Sequence, residues 1–272
     1  MTRPVRRDGP QPLAAEGAAR AGTPHRDTLR SGGAGPAWIA LRPGAYHMGA
    51  SPGDAAAQAY ETPSRIMRLS AAFALGEAPV TFEEFEMFCA ATGRAAPDDF
   101  GMGRAAHPVI NVSRREALDY CAWLSAETGA AYALPSEAEW EYACRAGAET
   151  PFAHGAEITS AQANFDPADA DDPIGRRGGT TPVRAFSANR WGFFDMHGNV
   201  GEWCADGWTP ELARLPEDGR PAPLDAEDPM ASAAVRGGGW STKRQFIRCS
   251  DRWHYAPDAA FEMVGFRIRR AV

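Results

Sequence analysis

The chain has 272 residues, of which 44% are hydrophobic and 23% are charged, so it can bury one large core or two small ones. Its formal net charge of -7 and pI near 5.4 argue against a nucleic-acid or anionic-membrane partner, because either would require a basic face. The 28 glycines and 22 prolines are typical of a loop-rich globular protein rather than a helical bundle.

The N-terminal stretch differs in composition from the rest of the chain. It is rich in Arg, Ala, Gly and Pro, and it contains no apolar run long enough for a secretory signal or a membrane span. We expect residues 1–36 to form a disordered tail and residues 37–272 to form one continuous domain. We also expect a monomeric, cytoplasmic protein.

The five cysteines are scattered and show no CxxC or zinc-ligand spacing. Cys89, Cys121 and Cys144 lie on apolar faces of predicted helices, which favours buried free thiols. Cys249 has no second cysteine near it in the sequence. Nothing in this pattern requires an oxidising compartment.

The first regular elements are predicted from short extended patterns and helix caps. Residues 38–49 and 65–76 read as strands around a loop at 50–64. Three helices are then predicted by a Ser or Thr N-cap with Glu three residues later, and they end at Gly93, Gly129 and Gly147. The cap pairs are Thr81 with Glu84, Ser113 with Glu116, and Ser136 with Glu139. We interpret these glutamates as caps and not as catalysts.

Regular structure is harder to predict in the second half. Residues 150–190 and 208–234 read as long ordered loops, which in a compact domain are functional or are held by something other than a backbone ladder. A bound cation is one candidate for holding them. The last strand is predicted from Val264, Phe266 and Ile268, which alternate with arginines.

Four motifs suggest a family. They are LPSEAEWEY at 134–142, GFFDMHGNVGEW at 192–203, VRGGGW at 235–240 and VGFR at 264–267. Their order and spacing resemble the formylglycine-generating enzyme, or sulfatase-modifying factor, family over residues 38–270. The resemblance implies an α+β fold related to C-type lectins, with small antiparallel sheets, about three helices and much ordered coil.

The resemblance implies a structural calcium site in the second motif. An acid at Asp195, carbonyls at Gly198 and Val200, and a carboxylate at Glu202 would supply the oxygen ligands that calcium prefers. The alternative is that Asp195 and Glu202 only accept hydrogen bonds from the amides of this turn. The neighbouring His197 is interpreted as a structural histidine.

A second family calcium site is weaker in this sequence. It would begin with the Asn164 side chain and the carbonyl of Phe165. The family's acidic partner is missing, because the matching stretch is 174–178, and Asp171 or Asp172 would have to replace it through a shifted loop.

The residues that carry the family's oxidation chemistry are absent. The family places two copper-binding cysteines after Arg-Gly-Gly-Ser, where this chain has Gly239 at the serine and Thr242 and Ile247 at the cysteines. Gly201 replaces a tryptophan that lines the family's active site. We therefore expect no copper-dependent formylglycine generation, while iron is left open.

Two functions remain for such a chain. As a calcium-stabilised module, it would bind a peptide, protein or small molecule with an aromatic and cationic surface. The candidate ligand-binding residues are Trp240, Phe246, Trp253, Tyr255 and Arg244. The alternative for Trp240 is a place in the core.

The other function is an oxidoreductase with a non-standard site, either like the pyoverdine-maturation relatives of this family or of the formylglycine type. Its catalytic candidates would surround the cleft that the missing side chains leave. They are Cys249, Asp251, His254, Arg248 and Arg252.

Overall fold

The computed structural model describes residues 22–167, 172, 174–225 and 227–272. The α-helices are α1 (Phe82–Thr92), α2 (Arg114–Thr128) and α3 (Glu137–Arg145), and short 3-10 helices occupy Ala59–Glu61, Leu212–Arg214 and Arg244–Phe246. The strands are β1 (Trp38–Leu41), β2 (Gly44–Met48), β3 (Arg65–Leu69), β4 (Phe73–Gly76), β5 (Tyr132–Ala133), β6 (Gly201–Gly207), β7 (Ala233–Arg236), β8 (Arg252–Tyr255), β9 (Val264–Gly265) and β10 (Arg269–Ala271).

All three predicted helix caps are present. In each α-helix the N-cap hydroxyl accepts from the amide of the glutamate three residues later, and that carboxylate accepts from the N-cap amide. Helices α1 and α2 end at the left-handed glycines Gly93 and Gly129, as predicted, whereas α3 ends at Ala146, one residue before Gly147. None of the described helices is long and apolar enough to cross a membrane.

The strands form three small sheets, which confirms the predicted α+β architecture. One sheet has the order β1-β4-β10-β5, β2 and β3 form a hairpin, and the sheet that we call the central sheet has the order β8-β7-β6-β9. The single strand predicted at the C-terminus is two strands. The chain leaves the central sheet after β9 and joins the first sheet at β10, because the segment between them packs Phe266 and Ile268 into the core.

One face of the central sheet is apolar. The register places Trp203 of β6 opposite Val235 of β7, and Val235 opposite Trp253 of β8, so these three side chains form one row. Helices α1 and α2 pack against part of this face and share its core cluster with Trp203 and Val235. We call it the apolar face.

The opposite face of the same strands carries buried charges. Glu202, Arg236 and Arg252 are cross-strand neighbours one residue along from the apolar row. Helix α3 covers this charged face and presents Glu137 and Glu141, which lie four residues apart and therefore on one side of the helix. All five side chains are fully or almost fully buried.

The N-terminal boundary of the domain lies earlier than predicted. Residues 22–36, assigned above to a tail, contact the domain, since His25 forms a β-bridge with Trp38 and Leu29 is buried in the core. Asp27 accepts hydrogen bonds from Arg270 Nε and from the Tyr132 hydroxyl, both at 2.6 Å. Residues 1–21 lie outside the described part of the chain.

The described residues of the first long loop are coil, as predicted, whereas the stretch 208–234 contains the 3-10 helix Leu212–Arg214 and runs into β7 at Ala233. The described residues between 150 and 190 contain no helix or strand. Hydrogen bonds between side-chain amides and the backbone help to hold them in place. Asn189 accepts from the amides of Trp191 and Phe193 and donates to the carbonyls of Ala143 and Cys144 at the end of α3. Such contacts satisfy backbone groups that a sheet or helix would otherwise satisfy.

Candidate functional site

A cavity of about 200 Å³ opens at the end of the apolar face that α1 and α2 leave uncovered. Its walls come from the central sheet, the glycine run after β7, the segment that precedes β8, and the segment before β9. The lining residues are Gly201, Val235, Gly237, Gly238, Gly239, Thr242, Phe246, Asp251, Trp253, Tyr255, Met263 and Val264.

Gly201 and Gly239 both line this cavity, and each is packed closely against a neighbouring side chain. A Cβ atom at Gly239 would lie 2.9 Å from the Cβ of Met263, and one at Gly201 would lie 3.0 Å from Cγ1 of Val235. A larger side chain at either position, such as the tryptophan and serine of the resembled family, would therefore require Met263 or Val235 to move. Both positions at which the sequence lacks the family's side chains border the same cavity.

Aromatic side chains form the outer wall of the cavity. Trp253 and Tyr255 are two residues apart on β8 and share a face, with ring centroids 6.4 Å apart. Phe246 lines the opposite side, and Trp253 remains 49% exposed. These are three of the predicted ligand-binding residues, and the structure brings them together.

The other two predicted ligand-binding residues are not among those that line the cavity. Trp240 is buried, and its indole Nε1 donates to the carbonyl of Glu262 at 3.2 Å, as expected for the alternative that placed it in the core. Arg244 begins the 3-10 helix that carries Phe246, and its Nη1 lies 3.7 Å from Oε2 of Glu157.

Asp251 is the one carboxyl group among the lining residues of this cavity. The Tyr60 hydroxyl lies 3.4 Å from its Oδ1, and Arg248 Nη2 lies 3.6 Å from the same atom. Burial, assisted by the negative charge of Glu61, raises the pKa of Asp251 to about 8. The carboxyl group therefore holds its proton at neutral pH when nothing positive occupies the cavity.

The charge balance around Asp251 is negative. Arg248 donates at 2.7 Å to each oxygen of Glu61 and at 2.8 Å to Asp54, so one guanidinium serves three carboxyl groups. Asp251 is the most distant of the three from that guanidinium. It is the group that has unused capacity for a positive partner.

Most of the predicted catalytic arginines and histidines face away from the cavity. Alternation along β8 places Arg252 and His254 on the side opposite to Trp253 and Tyr255. Arg252 forms a bidentate ion pair with Glu137, with both distances 2.7 Å. His254 is exposed, and its ring stacks on that of Trp208 with the centroids 4.6 Å apart. Arg248 is buried and engaged in ion pairs. Of the five candidates, only Asp251 lines the cavity.

Cys249, the remaining candidate, is buried beneath the cavity and is not alone. Its Sγ lies 3.5 Å from Sγ of Cys144 on α3, with the His197 ring beside the pair. No motif in the sequence predicts this pair, because 105 residues separate the two cysteines.

The positions of the family's copper-binding cysteines carry no sulfur here. Thr242 lines the cavity and accepts a hydrogen bond from the amide of Gly239 at 2.9 Å, while Ile247 is fully buried. Among the lining residues, the thioether of Met263 is the one sulfur group, and Cu(I) sites of this chemistry require thiolates. These residues do not fit a bis-thiolate copper centre.

The first predicted calcium site conflicts with a buried ion pair. Both oxygens of Glu202 accept from Arg267, at 2.6 and 2.7 Å, and Oε2 also accepts from Trp140 Nε1 at 2.8 Å. A cation on Glu202 would have to displace this guanidinium. Asp195 is less fully engaged, since it accepts from the Arg184 amide at 2.9 Å, and burial raises its pKa to about 6.

The second predicted calcium segment lies against the first. Asn164 forms a parallel bridge with Gly198, and its carbonyl accepts from the amide of Asn199 at 2.7 Å. Its Oδ1 is buried with no hydrogen-bond partner among the described residues. Residues 164 and 165 thus share one corner with Asp195.

The acidic partner proposed for that segment is used elsewhere. Asp172 accepts from the hydroxyl and the amide of Ser160 and from the amides of Ile174 and Gly175, and these hydrogen bonds outweigh burial and lower its pKa to about 2. Asp171 lies outside the described residues.

The fold and the cavity define a class of protein: an α+β domain in which a glycine-rich segment beside a small sheet forms one end of a cleft. The sequence profile of the sulfatase-modifying factor enzyme 1-like domain matches residues 26–272, and the chain belongs to this family. The predicted family and fold are therefore confirmed.

Named relatives include enzymes and parts of larger proteins. The chain is 31% identical to the formylglycine-generating enzyme of Mus musculus over 181 residues, which cover 63% of this chain and 46% of that protein. It is 34% identical to that of Mycobacterium tuberculosis over 179 residues, covering 60% and 57%. It is also 33% identical over 171 residues to the serine/threonine-protein kinase pkn1 of Chlamydia caviae, covering 62% and 25%. The chain thus spans about half or less of the length of these relatives.

Solved structures agree on the fold. The structure of PvdO from Pseudomonas aeruginosa superposes with a TM-score of 0.81 and 29% identity, and the match covers 93% of this chain and all of that one. The variable protein 1 of Treponema denticola has a TM-score of 0.72 at 19% identity, over 92% of this chain and 99% of that one.

Proposed function

We propose that this protein is a diverged member of its family that binds a peptide, protein or small molecule and lacks copper-dependent cysteine oxidase activity. The group bound in the cavity would be apolar and would carry a positively charged hydrogen-bond donor. The observation that carries this proposal is an apolar, aromatic-walled cavity with Asp251 as its one carboxyl group.

The size of the cavity suits a single side chain or a fragment. Pockets for drug-sized ligands measure about 300–1,000 Å³. The volume here is about 200 Å³, and Trp253 and Tyr255 offer ring faces to a ligand cation. A primary amine or guanidine on a short apolar stem fits these dimensions and this chemistry.

The charge of the ligand follows from the surroundings of Asp251. A neutral ligand would leave three carboxyl groups around Arg248, and Asp251 would stay protonated. A cation in the cavity would ionise Asp251 and gain a charge-assisted hydrogen bond in a site that is partly shielded from water.

The proposal is tested by calorimetric titration of the protein with phenethylamine and with its neutral analogue phenethyl alcohol. We expect saturable binding of the amine, about tenfold or more tighter than that of the alcohol. Asp251→Asn should remove the difference between the two probes. Equal binding of both probes, or binding of neither, would contradict the proposed ligand class.

We propose calcium as a stabilising ion at the corner formed by Asn164, Phe165 and Asp195. The orphaned Oδ1 of Asn164 supports it, whereas the ion pair of Glu202 with Arg267 weighs against the complete set of Asp195, Gly198, Val200 and Glu202. Chelation by EGTA should lower the melting temperature, and calcium but not magnesium should restore it. Asn164→Ala should abolish this response, and an unchanged melting temperature in the wild type would exclude the site.

A second candidate function is an oxidation enzyme of the same family. It is favoured by the identity of 31–34% to formylglycine-generating enzymes and by Asp251, whose raised pKa near 8 suits a general acid or base. Oxygen consumption with a cysteine-containing peptide, with and without added copper or iron, tests it. Turnover that is lost in Asp251→Asn would favour the enzyme over the binding module.

A further inference from the structure

The thiols of Cys144 and Cys249 are in direct contact in the interior. Their Sγ atoms are 3.5 Å apart, and both residues have no exposed surface. Cys144 belongs to α3 and Cys249 follows the 3-10 helix at Arg244–Phe246, so the contact joins two distant parts of the chain. The thiols of Cys89 and Cys204 instead contact backbone carbonyls.

The histidine beside the pair has both ring nitrogens engaged. His197 Nδ1 lies 2.7 Å from the carbonyl of Ile247, and Nε2 accepts from the amide of Ala153 at 3.1 Å. These contacts fix the neutral tautomer with its proton on Nδ1. A metal ion would need the Nε2 lone pair, which the Ala153 amide occupies.

The chemistry of the pair therefore favours a bond between the sulfurs over a metal. Without His197 the cluster offers two sulfur ligands, whereas a structural zinc requires four ligands. Burial raises the pKa of both thiols, but a hydrogen bond from Cys144 and the positive charge of Arg145 oppose this for Cys249, whose pKa is well below its ordinary value. One thiolate beside one thiol is the reactive state for disulfide exchange.

We propose that Cys144 and Cys249 form a disulfide that ties α3 to the segment beneath the ligand cavity. The Cys249 thiolate attacks a low-molecular-weight disulfide such as oxidised glutathione and releases one thiolate. Cys144 then loses its proton and attacks Sγ of Cys249, which releases the second thiol. Two electrons pass from the protein to the oxidant, which leaves as two thiols.

The position of this bond couples it to the cavity. Cys249 precedes Asp251 by two residues and follows Phe246 by three, and both of those residues line the cavity. The disulfide would fix the segment that carries them without occupying the cavity. A crevice of about 10 Å³, whose lining includes His154, Met196 and His197 but neither cysteine, has room for about one water molecule, and both thiols are fully buried. Oxidation of the folded protein should therefore be slower than oxidation during refolding.

The experiment refolds the full chain with reduced and oxidised glutathione, or with reduced glutathione alone. Free thiols are counted with Ellman's reagent in denaturant, and non-reduced tryptic peptides are identified by mass spectrometry. We expect the count to fall from five thiols to three in the oxidised sample, because one disulfide removes two, and the linked peptides should contain Cys144 and Cys249. The oxidised form should melt about 10 °C higher than the reduced form.

Matched variants separate the proposal from general thiol oxidation. Cys144→Ala and Cys249→Ala should keep all four remaining thiols free, whereas Cys121→Ala should still lose two. Five free thiols in the oxidised wild type, or linked peptides that join other cysteines, would overturn the proposal. Stoichiometric zinc or copper that is lost in Cys144→Ala would show a metal site instead of a disulfide.

Discussion

The two faces of the central sheet are built from the same strands, but one carries buried ion pairs and the other borders a cavity. On the charged face, Arg236 and Arg252 are buried under α3 and neutralise its glutamates, while Glu202 pairs with Arg267. On the apolar face, one residue along each strand, Val235 and Trp253 border an open cavity. Residues on the charged face therefore stabilise the fold, whereas those beside the cavity on the apolar face are free to contact a ligand.

The comparison also explains why charge near a cleft is a poor guide to function. Arg252 and Trp253 are adjacent in the sequence, yet one is fully buried in an ion pair and the other is half exposed beside the cavity. A buried ion pair costs desolvation of both charges, so it persists only when both partners stay in place. A ligand-binding residue has no such dependence on its neighbours.

The largest effect is expected when a charge is removed from the charged face. Glu137→Gln would leave Arg252 without its bidentate partner in a fully buried position. We expect the free energy of unfolding to fall by about 3–5 kcal/mol, measured by urea denaturation.

An exposed ion pair provides the control for this variant. Glu217 pairs with Arg65 at 2.9 Å, but its side chain is 81% exposed, so Glu217→Gln should change the unfolding free energy very little. If both variants lowered the unfolding free energy by the same small amount, the ion pairs of the charged face would not be stabilising the fold.

A second effect concerns the pH dependence of stability. The pKa of Asp251 is about 8 in the folded protein, and it returns to an ordinary value near 4 on unfolding, so the folded state holds an extra proton between these pH values. Its contribution is full below about pH 4 and is lost as the pH rises through 8. Asp206, with a pKa of about 7, acts in the same direction.

The variant Asp251→Asn should flatten this dependence. Between pH 5 and 8, the unfolding free energy of the wild type should fall more steeply than that of the variant, by up to about 1.4 kcal/mol per pH unit. Asp258→Asn is the control, because that side chain is 79% exposed. Identical slopes for the wild type and Asp251→Asn would mean that Asp251 is ionised in the folded protein.

The features that could be predicted best from the sequence are those that local backbone geometry determines. The capping boxes at Thr81, Ser113 and Ser136 specify helix starts within four residues of chain, and all three helices begin there. The cavity could be predicted in part, because Gly201 and Gly239 stand where the family has larger side chains.

The features that could not be predicted depend on contacts between residues that are distant in the sequence. Glu202, a predicted calcium ligand, forms an ion pair with Arg267, which lies 65 positions away in the sequence. The register of β8 decides that Trp253 and not Arg252 faces the cavity. The contact of Cys144 with Cys249 arises in the same way, since α3 has to be docked on the charged face before the two thiols meet.

A smaller effect is expected at a helix cap that belongs to neither face. Ser113→Ala removes the hydroxyl that accepts from the Glu116 amide at the start of α2. We expect the unfolding free energy to fall by about 1 kcal/mol, and Ser113→Asp, which retains an acceptor, should recover most of it. A loss as large as that of Glu137→Gln would show that Ser113 has a role beyond capping.

The smallest effect on stability and the clearest effect on function are expected at Trp253. Because this side chain is 49% exposed, Trp253→Ala should change the unfolding free energy by no more than about 0.5 kcal/mol. Binding of phenethylamine, followed by calorimetry, should nevertheless weaken at least tenfold, since the ring that would cover the cation is gone. Phe100, which is 50% exposed and lies outside the cavity, is the matched control, and Phe100→Ala should alter neither quantity. Equal binding by Trp253→Ala and the wild type would place the ligand away from β8, and would remove the functional distinction between the two faces.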